Sequence, residues 1–188
     1  MRKLVYYVGI SIDGYIAGPG GEWDFYPVSD ALAAYINGEM SEAVPTHIRQ
    51  QVGLDAPNRR FDTLVMGRGT YEPALEAGIT SPYAHLRQYV VSSTIESIDD
   101  PGVELVKEDP LGLVRRLKQE DGLDIWLCGG GKLAASVLPE IDELIVKAYP
   151  VVAGTGIAAF DGAFQPTTFT LTGTRTFEGG VVLMTYTR

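Results

Sequence analysis

Apolar residues in this chain fall in short runs closed by glycine, hydroxyl or acidic residues, and the runs alternate with stretches of helical spacing. Leu4 to Ser11 is β-rich and apolar on both faces, as in a central buried strand. Asp13-Gly14 then turns the chain, and the Gly- and Pro-rich stretch from Gly18 to Pro27, which carries Trp23, reads as a loop. Ser29 or Asp30 caps a helix whose apolar side holds Leu32, Tyr35 and Ile36. From Gly38 to Arg60 the pattern has no clear period, and Pro45 and Pro57 bracket a short helix. Phe61 to Met66 is a second buried strand, followed by Gly67 and a helix starting around Thr70. Tyr89 to Val91 and Val103 to Val106 are the third and fourth strands. Asp109-Pro110 opens a helix with Leu113, Val114 and Leu117 inward, and Gly122 ends it. Asp124 to Cys128 is a fifth strand that runs directly into Gly129-Gly130-Gly131. The next helix turns Leu133, Val137 and Leu138 inward and stops at Pro139. Leu144 to Val152 is a sixth strand, closed by Gly154-Thr155-Gly156. Phe169 to Phe177 and Val181 to Thr187 pair as a hairpin through Glu178-Gly179-Gly180.

Alternating strands and helices that end in a hairpin predict a single α/β domain over residues 1–188. Its three layers are a mostly parallel central sheet, helices on both faces, and an antiparallel C-terminal edge. In such open sheets ligands bind beyond the carboxyl ends of the strands. The residues that follow each strand are therefore the first candidates for chemistry.

Composition narrows the choice. With 188 residues, 45% of them hydrophobic and 21% charged, the chain has ordinary globular usage and can bury a sizeable core. Fifteen Lys+Arg against 24 Asp+Glu give a net charge of −9, so a fold-wide basic footprint for nucleic acid is absent. An anionic ligand must then be held by helix N-termini and a few local cations. The single cysteine, Cys128, excludes an internal disulfide and a multi-Cys zinc site. Two histidines, His47 and His85, argue against a His-rich metal centre and read as surface residues. No apolar stretch is long enough for a membrane span and the N-terminus lacks a signal-peptide pattern, so a soluble cytoplasmic protein is expected.

Three strand ends carry candidate chemistry. Cys128-Gly129-Gly130-Gly131-Lys132 joins a strand to a helix; its glycines allow close approach of backbone to phosphate, and Lys132 adds charge. It is neither the G-x-G-x-x-G fingerprint nor a Walker loop, and by itself it is equally a tight turn. Met66-Gly67-Arg68-Gly69-Thr70-Tyr71 also joins strand to helix: Thr70 can cap the helix and bond a phosphate that Arg68 neutralises, or the segment is a capped helix with a solvated arginine. Ser92-Ser93-Thr94 offers hydroxyls to a ribose phosphate, or is a polar turn. Together the three describe a site for an extended polyphosphate ligand.

These residues, in this order, resemble the dihydrofolate reductase-like superfamily. The branch is the bacterial one related to the C-terminal reductase domain of the riboflavin-biosynthesis deaminase–reductase. The resemblance runs from Ser11-Ile12-Asp13-Gly14-Tyr15-Ile16-Ala17 through Val65 to Glu72, Val90-Val91-Ser92-Ser93 and Cys128 to Leu133, to Asp142-Glu143-Leu144, Pro150-Val151 and Gly154-Thr155-Gly156. It implies an NADPH-dependent reductase, with 5-amino-6-(5-phosphoribosylamino)uracil reduction as the family's reaction. By the same resemblance, Ile16 and Ala17 lie against the nicotinamide. Gly67, Thr70, Gly129, Gly130, Gly131 and Lys132 hold the pyrophosphate, and Arg68, Ser92 and Ser93 approach the adenosine 2′-phosphate. On the substrate side it makes Asp30 on the first helix, or Asp13 in the S-x-D-G signature, the catalytic carboxylate, and Trp23 a substrate contact. An N-terminal helix Asp and a turn-forming Asp are the structural alternatives. Asp24 is a second acidic candidate, and Arg59 and Arg60 are the candidate cations for a substrate phosphate. The arginine that folate enzymes place before the Ser-Ser strand falls on Leu86 here, with Arg87 one place off. Tyr15, Tyr26, Tyr35 and Tyr71 either line a cleft for a flat substrate or are core. Proteins of this branch are often homodimers. Dihydrofolate reduction, flavin binding and a nucleotide-binding module without catalysis are the competing readings.

Overall fold

The computed structural model describes all 188 residues. Its strands are β1 (Leu4–Ile10), β2 (Tyr15–Ala17), β3 (Phe61–Gly67), β4 (Arg87–Val91), β5 (Val103–Val106), β6 (Asp124–Gly129), β7 (Ile141–Ala148), β8 (Ile157–Ala158), β9 (Thr170–Thr176) and β10 (Val182–Thr187). Its helices are α1 (Asp30–Glu39), α2 (Thr46–Gln51), α3 (Arg68–Glu76), α4 (Pro110–Gln119) and α5 (Gly131–Ser136). Eight strands form one sheet in the order β5-β4-β3-β6-β1-β7-β10-β9. The first six are parallel neighbours, and β10 and β9 add an antiparallel edge. This is the three-layer α/β arrangement with a C-terminal hairpin that the alternation predicts.

Two apolar clusters sandwich the sheet. On one face Leu32 and Tyr35 of α1 and Tyr71 of α3 pack with Val5, Tyr7, Phe61, Leu64, Trp126 and Ile145. On the other, Leu113, Val114 and Leu117 of α4 and Leu133 and Ala134 of α5 pack with Leu4, Tyr6, Val65, Ile125 and Leu127. Successive residues of β1 enter opposite clusters, which is the period-two consequence of a strand covered on both sides. Capping follows local chemistry: Ser29 is the N-cap of α1, its Oγ accepting from the Leu32 N–H at 3.3 Å. Asp109 caps α4 ahead of Pro110 by accepting from the Gly112 N–H.

Three features differ from the sequence expectation. β7 begins at Ile141, because the Asp142 carboxylate accepts from the Leu4 N–H at 2.8 Å and its carbonyl accepts from the Arg188 N–H, tying the strand start to both chain ends. β2 and β8 form a separate two-stranded pair, too short to carry a periodic signal. His85 is half-buried and bonded on both ring nitrogens rather than free on the surface. Its ring nitrogens contact the Thr46 hydroxyl at 3.1 Å and the Glu42 carbonyl at 2.9 Å, so it pins α2 to the segment before β4. Burial lowers its pKa from the ordinary histidine value. No helix is long and apolar enough to cross a membrane.

Candidate active site

Parallel strands bring their carboxyl ends to one edge, and the loops after β3, β4 and β6 meet there. β3 and β6 are adjacent, with Met66 opposite Gly129, so α3 and α5 begin side by side. The two glycine segments touch: a methyl carbon placed on Gly67 would stand 3.4 Å from the Gly130 nitrogen. One placed on Gly129, whose φ is +137°, would stand 3.4 Å from the Thr70 Oγ1, and one on Gly130 3.7 Å from the Ile16 Cδ1. Gly67, Thr70, Gly129, Gly130 and Ile16 therefore form one cradle whose open space exists because three of its members lack side chains. Ala17 lies two residues beyond Tyr15 in β2, paired with Ile157.

Beside the cradle, the Arg68 Nη1 donates to the Thr94 Oγ1 at 3.2 Å, so the guanidinium lies on the Ser92–Thr94 turn. It is half exposed and its other contact is the exposed Glu72, 3.4 Å away. Ser92 and Ser93 divide the work. Ser92 is buried and its Oγ accepts from the Thr94 and Ile95 N–H groups, so it shapes the turn, while Ser93 is exposed. These residues fit the adenosine and pyrophosphate part of a dinucleotide: donors and a cation at one end, a side-chain-free cradle at the other.

The remaining candidates are placed differently. Gly131 is buried against β8 and takes the Asp161 N–H on its carbonyl at 3.1 Å, so its missing side chain serves packing. Lys132 is exposed on the side of α5 that lines a separate cavity of about 580 Å³ with Phe160, Asp161, Gln165 and Phe169. Asp30 is exposed in the first turn of α1, where its charge complements the helix dipole. Trp23 is 64% exposed, and Asp24 is exposed beside it. Arg60 precedes β3 and pairs with Glu143 at 2.6 Å, and Arg87 opens β4 and pairs with Glu120. Both stand at the amino ends of parallel strands, away from the cradle. Arg59 is exposed next to Arg60. Among the tyrosines, Tyr71 is core, its hydroxyl donating to the Thr80 carbonyl. Tyr35 is buried under α1, and Tyr26 stacks on Tyr149 at 4.5 Å while donating to the Tyr15 carbonyl.

Asp13 is a clamp. Its Oδ1 accepts from the Ser11 hydroxyl at 2.6 Å and from the Ala153 N–H at 3.0 Å, and its Oδ2 accepts from the Gly154 N–H at 2.7 Å. The Ser11 hydroxyl and then the Ala153 amide hold its pKa down to about 2. A carboxylate so occupied joins the β1–β2 turn to the segment after β7 and is not free to deliver a proton. Its folded-state pKa lies below the ordinary carboxylate value, so it adds stability above that value and loses it as pH falls toward 2. Wild type should therefore lose thermal stability more steeply than Asp13→Asn between pH 4 and pH 2; superimposable profiles would show that the clamp adds nothing.

One residue escaped the sequence reading. Lys147 shares a face of β7 with the buried Ile145 and Tyr149, and its Nζ lies 4.2 Å from the centre of the Tyr7 ring. Burial pushes its pKa down to about 8, against an upward pull from Cys128, whose own thiol is pushed up to about 12 by burial. The available signal was a lysine at an inward position of the apolar run Leu144 to Tyr149.

A model of the RibD C-terminal domain matches residues 2–183. The chain belongs to the RibD C-terminal domain family. Two curated proteins of Bacillus subtilis strain 168, both uncharacterized, are similar along their lengths. YwjB is 32% identical over 189 residues, covering 100% of this chain and 98% of its own. YyaP is 26% identical over 198 residues, covering 98% and 94%. Among solved structures, a protein of Shewanella sp. PV-4 assigned to riboflavin biosynthesis superposes with a TM-score of 0.71 at 24% identity, over 100% of this chain and 99% of that one. The diaminohydroxyphosphoribosylaminopyrimidine deaminase/5-amino-6-(5-phosphoribosylamino)uracil reductase of Thermotoga maritima superposes with a TM-score of 0.68 at 17% identity, over 99% of this chain and 56% of that one. At these identities the two structures share the RibD C-terminal fold with this chain.

Proposed function

We propose that this member of the RibD C-terminal domain family is an NADPH-dependent reductase acting in the cytoplasm, as a homodimer, on a small, flat heterocyclic or carbonyl substrate. The observation that carries the reading is the convergence of the Gly67–Thr70 and Gly129–Gly130 cradle with Arg68 on the Ser92–Thr94 turn. The amides at the starts of α3 and α5 and the Thr70 hydroxyl would hold the pyrophosphate, and Arg68 with Ser93 the adenosine 2′-phosphate. Ile16 and Ala17 would support the nicotinamide, which supplies hydride when bound. The protein's share is orientation of a flat substrate beside that ring and exclusion of water. Neither Asp13, clamped, nor Asp30, exposed, has the surroundings of a proton donor. With Arg87 paired at the far end of β4, a cation for a folate tail is lacking at the expected place, and the dihydrofolate reading has the less support.

Calorimetric titration with NADPH and NADH tests the cofactor site. NADPH should bind at least tenfold more tightly than NADH, a difference of about 1.4 kcal/mol. Arg68→Ala should remove that preference while leaving NADH affinity unchanged. Equal binding of both nucleotides to wild type, or a preference that survives in Arg68→Ala, would overturn the assignment. Light scattering checks the dimer.

A further inference from the structure

We propose that Lys147 is the substrate anchor of this site, its ammonium donating a hydrogen bond to a carbonyl oxygen on the flat heterocycle; the inference rests on the reductase reading above. Lys147 lies opposite Gly9 in the β1–β7 register. A methyl carbon on Gly9 would stand 2.8 Å from the Tyr149 ring and 3.8 Å from the Lys147 Cε. The absent side chain at Gly9 leaves room for the Tyr149 ring beside the Lys147 stem, and the Lys147 Nζ reaches the Tyr7 face. Tyr7 follows Tyr6, the register neighbour of Leu127 on β6, and Cys128 then leads β6 into the glycine cradle. The ammonium thus lies on the α1 face of the sheet, in the row of strands whose carboxyl ends form the candidate cofactor site.

The lysine is costly where it stands. Ile145 and Tyr149 on the same face are core residues, yet no carboxylate pairs with Lys147 and no protein acceptor takes its protons; its one polar contact is the tyrosine ring. An ammonium held half-buried among core side chains ordinarily has a partner in the chain, so one left unpaired there marks a partner that arrives from outside. The Tyr7 hydroxyl beneath it is fully buried without a hydrogen-bond partner. The side chains around it indicate the shape of that partner. Tyr7, Tyr26, Tyr83 and Tyr149 are aromatic surfaces suited to a planar ring, with Tyr83 packed edge-on against Trp126 and Tyr26 stacked on Tyr149. The donor count points to its chemistry. The ammonium supplies three N–H donors and no acceptor, so its complement on a planar ring is an acceptor such as a carbonyl oxygen.

The test is calorimetric titration of wild type and Lys147→Met, with and without NADPH. The probes are 5,6-diaminouracil and its counterpart lacking both ring oxygens, 4,5-diaminopyrimidine. Wild type should bind the dioxo probe at least tenfold more tightly than the other. Lys147→Met should bind both probes equally and NADPH as wild type does. A preference for the dioxo probe that persists in Lys147→Met, or its absence in wild type, overturns the anchor. Failure of wild type to bind NADPH sinks the cofactor reading instead, and the titrations without NADPH still decide the role of Lys147. A thermal unfolding transition no lower than that of wild type verifies that the variant is folded.

Discussion

Gly131→Ala is expected to destabilise the protein by about 3 kcal/mol, the upper end of the cost of overpacking. A methyl carbon at this position would stand 2.0 Å from the Ala158 carbonyl oxygen and 3.2 Å from its carbon, both backbone atoms that cannot rotate away. Relief requires the 157–161 segment to move. That segment pairs β8 with β2, donates the Ala159 N–H to the Gly14 carbonyl at 3.0 Å, and takes the Tyr6 hydroxyl on the Ala159 carbonyl at 2.9 Å. For a chain of this size such a loss lowers the melting temperature by about 6–12 °C. Because Ile16 on β2 touches Gly130, NADPH affinity should fall with it. Gly69→Ala is the control: it lies in α3 with open space around it, and is expected to gain up to about 1 kcal/mol. Chemical unfolding of the two variants beside wild type measures both effects, and equal midpoints would show that β8 yields freely.

Lys147→Met should move stability the other way, raising it by about 2 kcal/mol at pH 7. Methionine matches the aliphatic stem and removes an unpaired ammonium from an apolar neighbourhood. The folded-state pKa of about 8 lies below the ordinary lysine value of 10.5. Between those two values the unfolded chain holds more protons than the folded one, so wild-type stability rises with pH across that window. The penalty is complete below pH 8 and vanishes above 10.5, so the advantage of Lys147→Met should be full at pH 7 and shrink toward zero by pH 10.5. The neighbouring Cys128, raised by burial from 9.0 to about 12, lowers stability as pH rises above 9, but it does so in wild type and in Lys147→Met alike and drops out of the difference between them; Tyr7, Tyr83 and Tyr149, raised above the ordinary tyrosine range, add nothing below pH 10. Unfolding measured at pH 7 and pH 10 decides it: no gain at pH 7, or a gain that does not depend on pH, would contradict the electrostatic account. A stabilised variant that has lost its carbonyl probe would be a site whose function was held against stability.

The fold class was legible because its signals are local. Buried parallel strands are apolar on both faces, and the runs at Leu4, Phe61 and Asp124 each end where a glycine or a hydroxyl stops them. The hairpin at Glu178-Gly179-Gly180 was legible for the same reason, its two glycines having φ values of +85° and +86°. The strand-to-helix junctions at Gly67 and Gly129 could be named as phosphate loops, since their chemistry is written in consecutive residues. That Arg68 rests on the turn containing Thr94 was suggested only by the family resemblance.

What the sequence alone determined was the strands of the main sheet, the principal helices between them, their order and the loops that bear glycine and hydroxyl groups, because backbone preference and hydrophobic period act over a few residues. Tertiary structure decided which of those groups meet. Asp13 finds its amide partners 140 and 141 residues away and becomes a clamp. Arg60 and Arg87 fall at the amino ends of their strands, on the wrong edge for the cradle. Gly131 is claimed by β8, and Lys147 reaches the Tyr7 ring across β1, where Gly9 lies opposite it. These outcomes depend on strand order and register, which place residues distant in sequence within a few ångströms of one another and leave no trace in the local pattern of either segment.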